Sequence, residues 1–168
     1  ATPINMMTAL ATLGNGGFTV TPHIVDEIRY STGKVKKFFP NPPEQVLKPE
    51  TSEEISRMLV GVVDDALLGG TVKIPEYSIA AKTGTAQIFR PANEGGGYYD
   101  DRYLHTFFGY FPAYDPKYIV FLYTYYPKNA EFASHTLTHP FIRTAKFLLH
   151  YYGVPPDRIK ETLPTPAL

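Results

Sequence analysis

Hydrophobic residues recur with the spacing of an α-helix in three parts of the chain. In the first part the spacing predicts a helix over residues 3 to 13, with Thr2 as the N-cap and Pro3 at the first helical position. The second predicted helix begins at a capping box formed by Thr51 and Glu54 and stops at the next pair of glycines. Its predicted apolar face consists of Ile55, Met58, Leu59, Val62, Val63 and Ala66.

The third helical pattern lies near the end of the chain. Thr138 and Pro140 have the residue types of a helix start, and the pattern ends at Gly153. The proline-rich segment 154–168 that follows is predicted to be an irregular tail. The predicted apolar face of this helix consists of Phe141, Ala145, Leu148, Leu149 and Tyr152.

Short apolar or alternating runs separated by turn residues predict β-strands. Residues 31–34 have the composition of a hairpin turn, and residues 113–116 that of a tight turn. Short connections favour an antiparallel meander of the last three strands, covered by the helices, which is an α+β architecture. The predicted strands are residues 18–20, 24–30, 35–39, 78–89, 103–111 and 118–126.

Composition limits the classes of function. The chain has 168 residues, of which 43% are hydrophobic, so it is long enough for the core of one domain. Its 16 basic and 16 acidic residues balance without blocks of like charge, which argues against a nucleic-acid partner and an anionic membrane surface. It has no cysteine, and no apolar run has membrane-spanning length. We therefore expect any membrane anchor to lie outside this chain.

The polar residues that interrupt the predicted strand 78–89 are the strongest candidates for chemistry. Lys82, Thr83, Gly84 and Thr85 follow an apolar stretch. Alternation along a strand places the two threonines on one face and Lys82 with Gly84 on the other. Two hydroxyls can donate to one anion, a lysine adds charge, and a glycine lets a ligand lie close to the strand. Taken alone, such a tetrapeptide is typical of a solvated strand end.

An ordered series of motifs removes that ambiguity, because the chain resembles the transpeptidase domain of monofunctional, high-molecular-weight penicillin-binding proteins. Lys-Thr-Gly at 82–84 is one of three signature elements in serine enzymes that react with penicillin. The resemblance runs through almost the whole chain, and the segments that carry it are Thr2-Pro3, Asn15 to Gly17, Pro22 to Val25, Lys48 to Glu50, Gly69 to Thr71, Tyr77, His105 to Ala113 and Asp115 to Lys117.

The resemblance implies a bacterial D,D-transpeptidase that cross-links peptidoglycan stem peptides through an acyl-serine intermediate trapped by β-lactams. It implies that Lys82 manages the proton of a neighbouring serine and contacts the substrate carboxylate. Thr83 and Thr85 would bind that carboxylate with their hydroxyls, beside Gly84, and the backbone N–H of Thr85 would serve the oxyanion hole. The implied fold is an incomplete transpeptidase/serine β-lactamase-like fold, located outside the cytoplasmic membrane, and no metal or other cofactor is implied.

The acyl-accepting serine is expected to lie upstream of this chain. Ser31 and Lys34 spell Ser-x-x-Lys, but Gly33 and the flanking alternation favour a hairpin turn, whereas such a nucleophile needs a helix start. In the family the nucleophile also precedes the helix that opens this chain. Residues 1–168 are therefore interpreted as the C-terminal portion of one transpeptidase domain, inactive by itself, whose partner is the missing N-terminal portion.

Three alternatives remain open at this point. A serine β-lactamase would share the Lys-Thr-Gly strand, and a penicillin-sensing receptor or a catalytically dead scaffold would use it only for binding. Deacylation by the complete protein would separate the β-lactamase from a transpeptidase, and the upstream residues decide whether the parent protein is an enzyme or only binds. A further expectation is that strand 118–126, left without its upstream partner strands, pairs with a second copy of the chain.

The remaining polar and aromatic residues favour structural roles. His105 and His139 have no second ligand at metal spacing, and His105 is predicted to orient polar groups near Lys82. Tyr98, Tyr99 and Tyr103 have the amphipathic rings that stack on sugars, but packing in the core or at the rim is the favoured interpretation. The long loop 90–102 is either disordered or borders the substrate cleft, and the cleft border is favoured.

Overall fold

The computed structural model describes residues 2–158. Helix α1 spans Pro3–Ala11, α2 spans Pro49–Gly61 and α3 spans Ala133–Tyr151. Strands β1 (Glu27–Arg29) and β2 (Val35–Lys37) form a small hairpin, while β3 (Ala80–Phe89), β4 (Tyr98–Phe111) and β5 (Tyr118–Tyr125) form the main sheet. None of the helices among residues 2–158 combines the length and the apolar character that a membrane span requires.

The main sheet is an antiparallel meander with the order β3-β4-β5, which confirms the predicted α+β architecture. Thr85 pairs with His105 across β3 and β4, and Phe108 pairs with Phe121 across β4 and β5. The loop predicted over residues 90–102 is shorter, because β4 already begins at Tyr98. The connection is ordered, since the Arg90 backbone N–H donates to the Gly97 carbonyl at 2.9 Å and closes the hairpin.

Helices cover both faces of this sheet. On one face, Phe107 and Phe111 pack with Phe141 of α3 in the larger core, and the rings of Phe107 and Phe141 stack with their centroids 4.4 Å apart. On the other face, Ala80 and Tyr110 form a smaller core with Leu13, which follows α1, and with Leu59 and Val60 of α2. Packing on both faces therefore fixes the position of the first residues of β3, the strand that carries Lys82.

Helix α1 begins as predicted. The Thr2 hydroxyl accepts a hydrogen bond from the Asn5 backbone N–H at 3.4 Å, and Pro3 occupies the first helical position. The helix ends at Ala11, two residues earlier than the predicted bound. Residues 18–20 do not form the predicted strand, since only Phe18 makes an isolated bridge, to Gln45.

The capping box predicted for α2 is wrong. The helix begins at Pro49 after Lys48, so Thr51 lies inside the first turn, and Glu54 instead pairs with Arg57 at 2.6 Å. The nitrogen of a proline at the first helical position has no hydrogen to donate, so that position needs no capping acceptor. The helix can therefore start at Pro49, before Thr51. After α2, a π-helical segment over Val62–Ala66 and a 3-10 segment over Leu67–Gly70 end the helical region at the predicted glycine pair.

The predicted apolar face of α2 is only partly correct. Met58 is 55% exposed, whereas Ser52 and Ser56 are buried. The Ser52 hydroxyl donates to the Leu13 carbonyl at 2.7 Å, and Ser56 lies 2.8 Å from the Tyr110 hydroxyl. These partners satisfy the buried hydroxyls, so the serine side of the helix packs against the sheet. Burial raises the pKa of the Tyr110 phenol.

Helix α3 also starts earlier than predicted. It begins at Ala133, and Pro140 lies inside it instead of at its start. Proline removes one helical N–H donor, but the buried Ala133, Leu137 and Phe141 anchor the helix on both sides of that position. Tertiary packing therefore outweighs the local preference of proline.

Two smaller segments complete the description. The turn predicted at residues 31–34 is confirmed, since the Gly33 N–H donates to the Tyr30 carbonyl at 2.9 Å between β1 and β2, although both strands are shorter than predicted. Residues 154–158 are irregular, as predicted, but they are bonded to the segment just before β3, because Asp157 accepts from the Ser78 N–H at 2.8 Å. The rest of the predicted tail, 159–168, lies outside the described residues.

Candidate functional site

The four residues singled out in the sequence lie in the middle of β3, which is an edge strand of the main sheet. β4 pairs with one side of β3, and within residues 2–158 no strand pairs with its other side. Backbone N–H and C=O groups alternate between the two edges of a strand, so the outer edge of β3 presents unpaired groups. An extended peptide can add to such an edge as a further strand.

Alternation along β3 follows the predicted pattern. Ala81 packs in the larger core with Phe141 of α3, while the preceding Ala80 packs in the smaller core on the opposite face. Continuing this alternation places Thr83 and Thr85 on the face of α3 and Lys82 on the face of α2. The sequence-based assignment of faces therefore agrees with the packing of the strand.

Lys82 is exposed, and its ammonium group donates to the carbonyl of the adjacent Thr83 at 3.1 Å. It forms no salt bridge within the described residues. A lysine without a carboxylate partner keeps its charge available for an anion that approaches from outside.

Gly84 gives close packing between β3 and β4. A Cβ atom at this position would lie 2.5 Å from the Thr106 hydroxyl oxygen. Thr106 is the register partner of Gly84 and donates to the Gly84 carbonyl at 3.3 Å. The missing side chain thus leaves room for the threonine on β4 and keeps the surface of β3 flat at this residue.

The Thr85 hydroxyl is tied to the start of helix α3. It accepts a hydrogen bond from the backbone N–H of Ala133 at 3.0 Å. Within the described residues it donates no hydrogen bond, so its proton remains available to an external acceptor. The first N–H groups of a helix carry partial positive charge, and this bond places the N–H of Ala133 against the Thr85 oxygen. The arrangement leaves the Thr85 hydroxyl able to donate to an external acceptor.

His105 supports this part of the strand from β4. The side chain is wholly buried, with Nδ1 2.9 Å from the Thr136 hydroxyl and Nε2 2.9 Å from the Glu131 carbonyl. The histidine therefore orients polar groups beside the candidate site, as predicted. His139 is exposed on α3. Among residues 2–158, no group of three or more His, Asp or Glu side chains is placed to hold a metal ion.

The aromatic residues near the β3–β4 hairpin pack at its rim, in line with the favoured prediction. Tyr99 lies under the guanidinium of Arg102, with 3.9 Å from the guanidinium carbon to the ring centroid. Its hydroxyl donates to Glu94, and this bond raises the pKa of Tyr99.

The other two tyrosines of this region also make local contacts. Tyr103 donates to the Asp100 carbonyl at 2.8 Å. Tyr98 is 59% exposed and contacts the Phe89 ring edge to face.

The residues that the sequence did not reveal are those at the start of α3. Ala133 and Thr136 lie five and two residues before the predicted helix start, so neither was a candidate for the site. Their contribution depends on where the helix docks on the sheet. The local signal at Pro140 gave no indication of this docking.

Comparison with known proteins gives a consistent family. The family model described as penicillin binding protein transpeptidase domain matches residues 1–144. The chain is 33% identical over 162 residues to penicillin-binding protein PbpB of Mycolicibacterium smegmatis, and 32% identical over 145 residues to stage V sporulation protein D of Bacillus subtilis. These matches cover 92% and 84% of this chain, but only 25% and 21% of the relatives.

Solved structures agree with these matches. The ampicillin complex of penicillin-binding protein 3 from Mycobacterium tuberculosis superposes with a TM-score of 0.81 at 26% identity, over 100% of this chain and 37% of that one. The apo form of the same protein gives a TM-score of 0.81 at 27% identity, over 93% of this chain and 36% of that one. The chain thus spans about a quarter of the curated relatives and little more than a third of the solved chains.

Proposed function

The chain belongs to the penicillin-binding protein transpeptidase domain family, and from this premise we propose that it supplies the substrate-holding wall of a peptidoglycan D,D-transpeptidase. The observation that carries the proposal is the Thr85 hydroxyl on an open strand edge, held by the first N–H of α3 with its own proton free. The nucleophilic serine belongs to a portion of the longer protein outside this chain.

In the proposed reaction the stem peptide lies along the outer edge of β3. The serine oxygen attacks the carbonyl of the terminal D-alanyl peptide bond, an ester to the serine forms, and the C–N bond breaks as the departing amine takes a proton. The nitrogen of an amine on a second stem peptide then attacks the ester carbonyl. A new amide bond forms, and the ester C–O bond breaks as the proton of the amine passes to the serine oxygen. The backbone N–H of Thr85 would stabilise the oxyanion at both steps, where one such donor is worth about 3 to 4 kcal/mol.

Each side chain of the site has a distinct part in this proposal. Thr83 and Thr85 donate their hydroxyl protons to the carboxylate of the stem peptide or β-lactam, and Gly84 keeps the strand accessible. Lys82, which has no carboxylate partner of its own in the described residues, attracts the same carboxylate and manages the proton of a neighbouring serine. The β3–β4 hairpin, residues 90–97, would border the cleft beyond this wall.

A labelling experiment tests the function. The longer protein and the 168-residue chain are each incubated with a fluorescent penicillin and examined by intact-mass spectrometry. We expect one stable penicilloyl adduct on a serine of the longer protein outside this chain, and none on the 168-residue chain, because the acyl acceptor lies upstream.

The other outcomes are equally informative. An adduct on Ser31 would contradict the motif assignment, since that residue lies in the β1–β2 hairpin turn. Absence of labelling in the longer protein would favour a scaffold, and rapid release of the adduct would favour a β-lactamase.

The longer protein is proposed to act on the outer side of the cytoplasmic membrane, with its anchor outside this chain.

The outer edge of β5 supports a further prediction about assembly. Ile119, Val120, Phe121 and Leu122 are half-buried on this strand, and within residues 2–158 nothing pairs with its outer edge. In the family, strands that precede the nucleophile pair there. When they are absent, we expect the isolated chain to dimerise through β5 or to form larger species, because an open apolar edge is a template for pairing.

Size-exclusion chromatography with light scattering measures this association. Replacing the exposed Tyr123 and Tyr125 together by lysine is expected to shift the chain towards monomer, because charge on an edge strand opposes pairing. The control is Tyr151→Lys, which makes one tyrosine-to-lysine change at a residue 68% exposed on α3, and each single variant of β5, Tyr123→Lys and Tyr125→Lys, is compared with it. A monomeric parent chain at high concentration, or an equal effect of the control, would contradict the role of β5.

A further inference from the structure

His105 is linked to the Thr85 hydroxyl through the first turn of α3, by a series of polar contacts joined by the Ala133 backbone. His105 contacts the Thr136 hydroxyl and the Glu131 carbonyl, both at 2.9 Å. Thr136 lies in the first turn of α3, where its hydroxyl is 3.2 Å from the Ala133 carbonyl. The N–H of the same Ala133 donates to Thr85 at 3.0 Å. His105 is also the register partner of Thr85, so the series closes on neighbouring strands.

The chemistry of the partners sets the direction of these bonds. The Glu131 carbonyl only accepts, so Nε2 of His105 carries a proton. The Thr136 hydroxyl has one proton to share between Nδ1 of His105 and the Ala133 carbonyl. With the proton on Nε2, Nδ1 of the imidazole is an acceptor, so the Thr136 hydroxyl donates to Nδ1. His105 is thus bonded both to the residues that lead into α3 and to its first turn. Because His105 is wholly buried, water does not compete for these bonds.

The position of this first turn determines how Thr85 presents its proton. The Ala133 N–H occupies a lone pair of the Thr85 oxygen and thereby restricts the directions open to the hydroxyl proton. A hydrogen bond weakens steeply as its angle departs from linearity, so a small shift of Ala133 would release the hydroxyl to rotate. Besides the burial of Ala133 and Leu137, the hydrogen bond between His105 on β4 and Thr136 on α3 resists such a shift.

We propose that His105 and Thr136 are positioning residues that hold the start of α3 and so direct the Thr85 hydroxyl towards the carboxylate of the substrate. This inference rests on the proposed function, because it assigns a support to a residue of the proposed wall. Its consequence is selective: losing this support should weaken the response to a ligand that has a carboxylate and spare a ligand that lacks one.

The test uses the longer protein with benzylpenicillin and with its methyl ester, which lacks the carboxylate charge. Thr136→Val removes the hydroxyl and keeps the shape of the side chain. We expect the second-order acylation rate with benzylpenicillin to fall about three- to tenfold, the change that corresponds to roughly one neutral hydrogen bond. The rate with the methyl ester should stay within about twofold of the parent.

Three further variants sharpen the comparison. Thr136→Ser keeps the hydroxyl and should restore the rate with benzylpenicillin. Thr144→Val is the matched control, because the Thr144 hydroxyl donates to the Pro140 carbonyl at 2.9 Å within the same helix, two turns further along. His105→Asn removes the other half of the support. Should that variant fold poorly, thermal unfolding will show it, and Thr136→Val decides the question by itself.

The outcomes separate this inference from the proposed function on which it rests. An equal loss with acid and ester in Thr136→Val, or no loss with either, would overturn the positioning role. Thr85→Val provides the reference. If Thr85→Val loses activity selectively with the acid while Thr136→Val does not, the positioning role alone is wrong. If Thr85→Val shows no selectivity, the carboxylate-binding role of Thr85 is wrong, and the support assigned to it is overturned as well.

Discussion

Lys82→Ala in the longer protein is expected to slow acylation by penicillin about a hundred- to a thousandfold, the loss typical of removing one electrostatic group from a transition state. Stability should change by less than about 0.5 kcal/mol, as is usual for surface substitutions without buried partners. The side chain is exposed, and within residues 2–158 the only hydrogen bond of its ammonium group is the one that it donates to the Thr83 carbonyl. A large kinetic effect with a small effect on stability distinguishes a reacting group from a structural one.

The measurement pairs acylation kinetics with thermal unfolding of the same protein. Lys37→Ala is a suitable control, because Lys37 is an exposed lysine on strand β2, outside the main sheet. It should leave both quantities near their parent values. If Lys82→Ala acylated at the parent rate, β3 would have only a structural role. If it lost stability in proportion to rate, the lysine would support the fold instead of the reaction.

Much of the architecture follows from local patterns. Alternation and turn residues identify the three strands of the meander, because strands joined by short connections pair with their neighbours. The Thr2 cap and the 31–34 turn are equally local, and both are present in the structure. Each of these features is set by residues that lie within a few positions of one another.

The errors arise where tertiary contacts outweigh a local signal. Thr51 with Glu54 satisfies the capping-box pattern, but Pro49 starts the helix earlier. Ser52 and Ser56 belong to the buried side of α2, since their partners, the Leu13 carbonyl and the Tyr110 hydroxyl, come from distant parts of the chain. A hydroxyl can replace an apolar residue in a core only where such partners exist, and spacing along one helix does not reveal them.

In the candidate site, too, local patterns predict some features and tertiary contacts set the others. The family motif predicts Lys82 to Thr85 as the candidate site, and alternation assigns their faces. The sequence does not indicate that the Thr85 hydroxyl receives the first N–H of a helix that begins 48 residues later. That contact requires α3 to extend past Pro140 to Ala133, and the burial of Ala133 and Leu137 against the sheet favours this extension. The directionality of the site is therefore a property of helix docking.

The docking of α3 leads to the other large expected effect, which concerns Gly109 on β4. A Cβ atom at Gly109 would lie 2.4 Å from the Phe141 ring, 2.7 Å from the Ala81 side chain and 2.9 Å from the Ala80 carbonyl. Phe141 has little room to withdraw, since its ring stacks on Phe107 and contacts the edge of Phe111. We expect Gly109→Ala to lower the free energy of unfolding by about 3 kcal/mol or more, at the upper end of the cost of overpacking a core.

Gly84→Ala is the matched control for this prediction, because it makes the same change on the neighbouring strand. The added methyl group would meet the Thr106 hydroxyl at 2.5 Å and, beyond it, only the Thr106 Cβ at 3.9 Å. A hydroxyl can rotate away, whereas a stacked ring and a backbone carbonyl cannot, so this variant should lose no more than about 1 kcal/mol. Chemical denaturation of the longer protein followed by circular dichroism compares the two. Equal stability of both variants would mean that α3 does not pack on β4 as closely as described, and the support that its first turn gives to Thr85 would lose its basis.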